Sequence, residues 1–140
     1  MPKLNPHINF NGNAEEAFLF YQSVFGGEFT NILRFKDISS EEYPIPEHEA
    51  QKIMFIGLHI GNDILMANDV PESMGRTNEN ENRSKISIST DSLDETNRIY
   101  NGLTNGGQIE VPLNQSSTNS YFAMFRDKYG IEWMLNYMEN

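Results

Sequence analysis

Two segments of the chain repeat one order of patterns: an alternating stretch, a turn, a helical stripe and a glycine pair. In the first segment, residues 7–10 alternate polar and apolar side chains, as a strand with one buried face does. Apolar positions then recur at helical spacing up to Gly26-Gly27, at Ala14, Ala17, Phe18, Tyr21, Val24 and Phe25. The pattern predicts a strand, a helix and a glycine terminus.

The second segment begins at Ile86 and has the same order. Residues 86–89 alternate, Gly106-Gly107 closes the segment, and the stripe lies at Leu93, Thr96, Ile99, Tyr100 and Leu103. Each helix is preceded by a predicted capping box, in which a cap residue and a glutamate satisfy backbone N–H groups reciprocally; the pairs are Asn13 with Glu16 and Ser92 with Glu95. The caps are 79 residues apart, as are Tyr21 and Tyr100. This shared register indicates an internal repeat.

Each repeat continues with residues of strand composition. The first module is predicted to add strands at 28–36, 52–60 and 63–68. The second is predicted to run as strand 85–89, a helix, and strands 108–113, 120–126 and 131–137, with a polar loop at 114–119. Residues 37–51, which are acidic and contain Pro44 and Pro46, are expected to form a loop.

The predicted fold class is therefore α+β, with tandem βαβββ modules forming a curved mixed sheet around a cleft. One domain would contain both modules, at about 1–68 and 84–140, joined by a polar linker at 69–83. Because the helices need apolar partners, the opposite parity of the strands should line the cleft. These positions are His7, Asn9, Lys85, Ser87, Ser89, Glu132, Met134 and Asn136.

Composition narrows the function classes. The 140 residues carry a formal charge of −10 with few Lys and Arg, which argues against nucleic-acid binding. The acidity is typical of solubility, and the alternative is attraction of a cationic ligand. The chain has no cysteine, which excludes disulfides and thiolate metal ligands. No apolar run of membrane-spanning length and no basic-then-apolar leader occur, so we expect a cytoplasmic protein without a membrane partner.

Two motifs carry a resemblance to a known family. The segments FNGNAEEAFLFYQSVFGGE and DKYGIEWMLN, together with the tandem modules, resemble the vicinal oxygen chelate superfamily of glyoxalases, bleomycin-resistance proteins and dioxygenases. They are similar to its PhnB-like branch, often described as 3-demethylubiquinone-9 3-methyltransferase-like. Methyl transfer is not expected, because the sequence lacks a glycine-rich strand-to-helix loop followed by an acidic residue that would hold a nucleotide-like cofactor.

The resemblance implies a divalent metal bound by the first and last strands of each module. The first ligand position falls on His7, the one clear match. The others fall on Lys85, on Met134 with Glu132 two residues earlier, and near Met66 or Ala67. Because an ammonium offers no lone pair and the remaining positions do not suit a hard ion, no cofactor is expected. A divalent metal on His7, with Glu132 as second ligand, is the alternative.

Two functions stay open. The first is a PhnB-like protein that binds a small molecule in the cleft between the modules without a complete metal site. The second is a metal-dependent lyase, isomerase or dioxygenase of the glyoxalase type, so enzymatic activity is undecided. A homodimer is expected from the resemblance and from sheet edges that need cover.

The candidate residues have alternative interpretations. Lys85 either holds an anionic group or is a solvated residue at the start of a strand, and Glu132 either pairs with Lys85 across the cleft or acts as a base. His7 is either a metal ligand or a hydrogen-bonded histidine. Trp133 is expected in the core, and His59 is not expected to be a ligand.

Overall fold

The computed structural model of the chain describes residues 1–139. The chain divides into two compact units, 1–77 and 78–140. The first unit contains β1 (His7–Phe10), α1 (Ala14–Phe25), β2 (Leu33–Arg34), β3 (Ile53–Ile60) and β4 (Asp63–Asp69). The second contains β5 (Ile86–Thr90), α2 (Leu93–Thr104), β6 (Gln108–Ser117), β7 (Ser120–Arg126) and β8 (Glu132–Met138).

The two units share one topology. The sheet of the first unit has the strand order β1-β4-β3-β2, and that of the second has β5-β8-β7-β6. In both, the first and last strands pair in parallel while the neighbouring hairpins are antiparallel. The fold class predicted from the sequence, α+β with tandem βαβββ modules, is confirmed.

The apolar stripes of the helices build the cores, as their spacing predicts. In α1, five of the six predicted stripe positions are buried, and Phe18 and Tyr21 pack edge to face with ring centroids 5.6 Å apart. In α2, Thr96, Ile99 and Leu103 are buried, whereas Leu93 is exposed. Trp133 lies in the core of the second unit, as expected, with 2% of its surface exposed.

Glycine ends the first helix at a point where a side chain has no room. Gly26 and Gly27 have φ of 76° and 85°, a region that residues with a Cβ rarely adopt. A Cβ on Gly27 would also lie 1.9 Å from the carbonyl oxygen of His59 on β3. The glycine pair therefore allows the chain to leave α1 and run directly against the sheet.

Three predicted elements differ from the structure. The predicted strand at 28–36 reduces to Leu33–Arg34 and a single bridge between Phe29 and Leu58, because this segment lies at the sheet edge and is held by few backbone bonds. The predicted loop 114–119 is mostly strand, since β6 continues to Ser117 and pairs with β7. The loop at 37–51 contains short 3₁₀ turns at Phe35–Ile38 and Glu47–Glu49.

The predicted capping box at Asn13 is wrong. The Asn13 side chain makes no cap hydrogen bond, and the N–H groups of Gly12 and Ala14 instead donate to Asp69 Oδ1 at 3.0 and 2.9 Å. Asp69 Oδ2 accepts the N–H of Ile53 at 2.8 Å. Asp69 is 1% exposed and ends β4, so it belongs to the first unit's core and not to a solvated linker.

The second helix keeps a local cap. Ser92 Oγ accepts the N–H of Glu95 at 3.1 Å. The Glu95 carboxylate accepts from Asp91 N–H at 3.0 Å, one residue before the predicted partner. This cap is therefore built as the sequence predicts, except for the return bond.

No helix within residues 1–139 combines the length and apolarity needed to cross a membrane.

Replacing Asp69 by alanine is expected to destabilise the protein by about 3 kcal/mol, because three backbone N–H groups lose their acceptor, two of them in buried bonds. Urea unfolding followed by circular dichroism measures this change. Asp63→Ala, an exposed carboxylate on the same strand, should change stability by less than about 0.5 kcal/mol. Equal effects of the two substitutions would contradict a structural role for Asp69.

Candidate functional site

The sheet of the first unit leaves one face uncovered by its helix. Ile8 and Phe10 are buried on the helix side, and His7 and Asn9 are exposed on the other, as strand parity predicts. Parallel pairing places His7 beside Met66 on β4, and Asn9 beside Asn68. We call the two sheet faces without a helix the open faces.

A hydrogen bond to Asn68 orients the His7 ring and identifies the ring nitrogen that donates. His7 Nε2 lies 2.6 Å from Asn68 Oδ1, and the Asn68 amide nitrogen donates to the Asp69 carbonyl at 3.0 Å. The second bond orients the amide so that its oxygen faces the ring, and Nε2 must then be the donor. The lone pair of neutral His7 is therefore on Nδ1. The structure shows His7 as an exposed histidine that is hydrogen-bonded to Asn68 through Nε2, so Nδ1 is the ring nitrogen that could contact a ligand or an ion.

On the open face of the second unit, the predicted residues lie close together. Ser87 on β5 is in register with Met134 on β8, which is in register with Met124 on β7. Asn136 donates from its amide to Ser87 Oγ at 3.3 Å. The face therefore combines half-buried methionine side chains with polar groups, a composition typical of ligand-binding surfaces.

A charged cluster lies at one end of this face. Glu132 at the start of β8 bonds to Lys85 through Oε2 and to Arg126 through Oε1, with the Arg126 nitrogen at 2.6 Å. A second carboxylate, Glu110, has an oxygen 4.0 Å from Lys85 Nζ. We call Lys85, Glu110, Arg126 and Glu132 the Glu132 cluster. Lys85 and Glu132 do pair, and both belong to the second unit: Lys85 directly precedes β5, and Glu132 begins β8.

Glu132 is ionised although it is buried. Its side chain is 4% exposed, and burial alone would raise its pKa. The hydrogen bond from Lys85 and the charges of Lys85 and Arg126 outweigh burial and hold the pKa of Glu132 below its usual value. Both carboxylate oxygens are occupied by cations. Glu132 would have to release one of them before it could accept a proton or bind a metal.

Arg126 also connects the cluster to the chain that precedes β5. Its guanidinium donates to the carbonyls of Gly130 and Glu81, the latter at 3.1 Å. Sequence reasoning missed Arg126 and Glu110. Arg126 has the same strand parity as Met124, so the alternation of β7 together with its register on β8 could have placed it beside Glu132.

The remaining candidates fall in different places. His7 and Asn9 belong to the first unit, whereas Lys85, Ser87, Glu132 and Met134 belong to the second. His59 is exposed on β3. Elsewhere in the described residues, an imidazole and two carboxylates converge at His48, Glu49 and Glu72, with ligand atoms within 4.8 Å of one another. The sequence-based predictions did not include these three.

Comparison with known proteins supports the fold and the family. The chain is similar to protein PA1353 from Pseudomonas aeruginosa, with 33% identity and a TM-score of 0.85 over 100% of both chains. It is similar to a Bacillus cereus PhnB protein described as a putative 3-demethylubiquinone-9 3-methyltransferase, with 22% identity and a TM-score of 0.74 over 97% of this chain and 99% of that chain.

A third solved structure places the fold in a wider group. It is a glyoxalase/bleomycin resistance protein/dioxygenase family enzyme from Burkholderia phytofirmans PsJN, with 16% identity and a TM-score of 0.61 over 94% of this chain and 96% of that chain. A sequence model of the family described as 3-demethylubiquinone-9 3-methyltransferase matches residues 2–136. The chain therefore belongs to the 3-demethylubiquinone-9 3-methyltransferase-like (PhnB) family and has the glyoxalase/bleomycin-resistance fold.

Proposed function

We propose that this protein binds a small molecule on its open faces without a complete metal site. The observation that carries the proposal is the Glu132 cluster, in which two cationic side chains neutralise a buried carboxylate beside Met124 and Met134. The cluster supplies fixed charge and hydrogen-bond donors where a metal ion would otherwise provide positive charge.

The charge balance of the cluster indicates how a ligand would be held. Lys85 and Arg126 bring two positive charges, and Glu110 and Glu132 bring two negative ones, so the cluster is close to neutral. A ligand would therefore be recognised by hydrogen bonds from Lys85 to a polar or anionic oxygen rather than by net attraction. The Lys85 side chain is 27% exposed and keeps N–H groups that Glu132 does not use.

The surface beside the cluster suits the apolar part of such a ligand. Met124 and Met134 are half-buried cross-strand neighbours, and Phe122 lies in register with Asn136 one step further along the same strands. Methionine side chains adapt to different shapes, so this surface accommodates a range of organic molecules. The overall charge of −10 would attract a cationic drug-like ligand, and we propose that the apolar part of such a ligand lies against these methionines, away from Lys85 and Arg126.

A second candidate function is supported by His7. Because Asn68 holds Nε2 as the donor, Nδ1 keeps a lone pair on an exposed ring. This nitrogen could serve as one ligand of a divalent metal in a lyase, isomerase or dioxygenase of the glyoxalase type. Glu132 fits a metal poorly as second ligand, because both its oxygens are already held by cations.

We also propose a homodimer in the cytoplasm. The support is general: β6 forms one edge of its sheet and most of its residues are exposed, and an exposed edge is commonly covered by another chain.

Replacing Lys85 by methionine is expected to weaken the binding of a ligand held by Lys85 while the fold is retained, because the replacement keeps the apolar stem and removes the donor. Thermal shift assays against a panel of organic carboxylates, phosphates and cationic antibiotics would find a ligand, and calorimetry would measure its affinity. A loss of about tenfold or more is expected in the variant. Lys36→Met, at an exposed lysine of the first unit, should bind as wild type. A panel without any stabilising compound, or equal affinities in both variants, would contradict the proposal.

Replacing Glu132 by glutamine is expected to destabilise the protein by about 2 kcal/mol at neutral pH, because two partly buried cations lose their counter-charge. The lowered pKa of Glu132 means that this stabilisation is present above about pH 4.5, the unfolded value, and is lost as the pH falls through the folded value. Urea unfolding of both proteins at neutral pH and at about pH 3 should therefore show the difference shrinking in acid. Glu110→Gln, at the exposed carboxylate, is the control with a smaller effect. A difference that is the same at both pH values would contradict an ionised Glu132.

His7→Ala tests the second candidate. If the protein binds its ligand without a metal on the open faces, replacing His7 should leave the number of bound nickel, manganese or iron(II) ions unchanged in calorimetric titration. The exposed His59→Ala variant serves as control. Stoichiometric metal binding that is lost in His7→Ala alone would support the metal-dependent enzyme and justify assays on glutathione adducts and catechols.

A further inference from the structure

A group of potential metal ligands lies in the first unit, away from the Glu132 cluster in sequence and in a different unit. Glu47–Glu49 form a 3₁₀ turn before β3, and Glu72 begins the turn after β4. His48 Nε2 lies 3.3 Å from Glu72 Oε2 and 3.9 Å from Glu49 Oε1. The three ligand atoms thus converge from two segments of the chain that are separated by a β-hairpin.

Glu49 is the unusual member of this group. Its side chain is 8% exposed although it belongs to a surface loop. Its Oε1 accepts the backbone N–H of Glu72 at 3.1 Å, which fixes the direction of the carboxylate. Its Oε2 is buried and faces the Lys52 ammonium, whose Nζ lies 3.0 Å away. The Glu49 carboxylate is therefore held in one direction beside His48.

The charges around Glu49 favour a cation. Glu49 and Glu72 approach His48 from two segments of the chain, and Lys52 is the lysine that contacts them. The two carboxylates and the one lysine leave a net charge of −1 beside an imidazole nitrogen. A divalent cation would therefore be attracted to this point.

We propose that His48, Glu49 and Glu72 bind a zinc ion, with water completing the coordination. Two ligand atoms bound to one tetrahedral zinc ion at about 2.0–2.1 Å lie about 3.3 Å apart. His48 Nε2 and Glu72 Oε2 have this spacing, 3.3 Å, whereas Glu49 Oε1, at 3.9 Å from His48 Nε2, would have to move closer on binding. The mixed nitrogen and oxygen ligands favour zinc or another late first-row ion over Mg²⁺ or Ca²⁺, which prefer oxygen ligands. The ion would link the loop before β3 to the turn after β4.

The ammonium group of Lys52 lies beside the same two carboxylates that would bind the ion. Its Nζ lies 3.0 Å from Glu49 Oε2 and 4.0 Å from Glu72 Oε1, so it partly neutralises both carboxylates. Bound zinc would be repelled by this ammonium, which must swing outward from the site. Removing the lysine charge should therefore tighten zinc binding, an effect that a simple ion-pair network would not show.

The experiment is calorimetric titration of zinc chloride into the full chain after metal removal by a chelator. The wild-type protein should bind one zinc ion in this group, and His48→Ala and Glu72→Gln should both lose it. These two side chains are largely exposed, so both variants should keep the fold, which circular dichroism checks. Lys52→Gln should bind zinc about tenfold more tightly. Glu47→Gln, an exposed glutamate in the same 3₁₀ turn, and His7→Ala should bind this ion as wild type does.

Absence of stoichiometric zinc binding in wild type, or binding that survives in both His48→Ala and Glu72→Gln, would overturn this proposal. Unchanged affinity in Lys52→Gln would also contradict it. The outcome is independent of the small-molecule function, because that function is tested at Lys85 and the His7 metal hypothesis is tested by the His7→Ala variant.

Discussion

The first unit depends on one buried carboxylate. Asp69 ends β4, and its oxygens accept N–H groups from the turn that starts α1 and from the first residue of β3. A side chain on one strand thereby fixes the entry of the helix and the position of a second strand. In a site that is 1% exposed, these three hydrogen bonds have little competition from water. The direction of α1 over its sheet depends on this contact.

In the second unit, different residues cap the helix and fix the turn between two strands. Its helix has a local serine cap, and the buried carboxylate that accepts backbone N–H groups is Asp127, which follows β7. Asp127 Oδ1 accepts the N–H groups of Tyr129 and Ile131, and Oδ2 accepts the indole N–H of Trp133 at 2.8 Å. The turn between β7 and β8 is thus fastened to the largest core side chain. The repeat therefore preserves topology and the helix stripe, whereas the polar contacts that lock each unit have diverged.

Periodicity was sufficient to predict the elements that are defined by their own side chains. The hairpin of β3 and β4 and the strand β7 lie within about a residue of their predicted bounds, because alternation marks a buried face. The capping box failed at Asn13 because a carboxylate distant in sequence competes for the same N–H groups. A signal was present: Asp69 shares its strand parity with Leu65 and Ala67, both buried, and an acidic residue at a core position requires a buried partner.

The extent of β2 and β6 could not be predicted from their own residues. β2 lies at the edge of the sheet, where a strand is defined by its partner rather than by its pattern. The polar residues at 114–117 are typical of a loop, yet they form a strand because β7 offers backbone partners and both faces there tolerate polar side chains. Hydrogen-bond register, which composition does not encode, decided both cases.

For the candidate site, the sequence predicted which face of a strand each residue occupies, but not which residues are its partners. Parity placed His7, Asn9 and Ser87 on the exposed side of their strands, where the structure has them, and Lys85 directly precedes β5. The partners of these residues, Asn68 and Arg126, depend on which strands are neighbours and in what register. The burial of Glu132 follows from those partners, because Lys85 and Arg126 cover a carboxylate that parity alone would leave exposed.

The Glu132 cluster also limits what kind of chemistry its face can support. A metal ion attracts a ligand by positive charge that is not already neutralised. The positive charges of Lys85 and Arg126, in contrast, are largely neutralised by Glu132 and Glu110. A ligand at this position must share the N–H donors of Lys85 with Glu132. Each new hydrogen bond from Lys85 to the ligand would therefore weaken the bond from Lys85 to Glu132. Such exchange favours orientation of a ligand over strong polarisation of its bonds, because polarisation requires concentrated charge. The electrostatics of this cluster therefore fit the reversible binding that we propose better than they fit Lewis-acid catalysis.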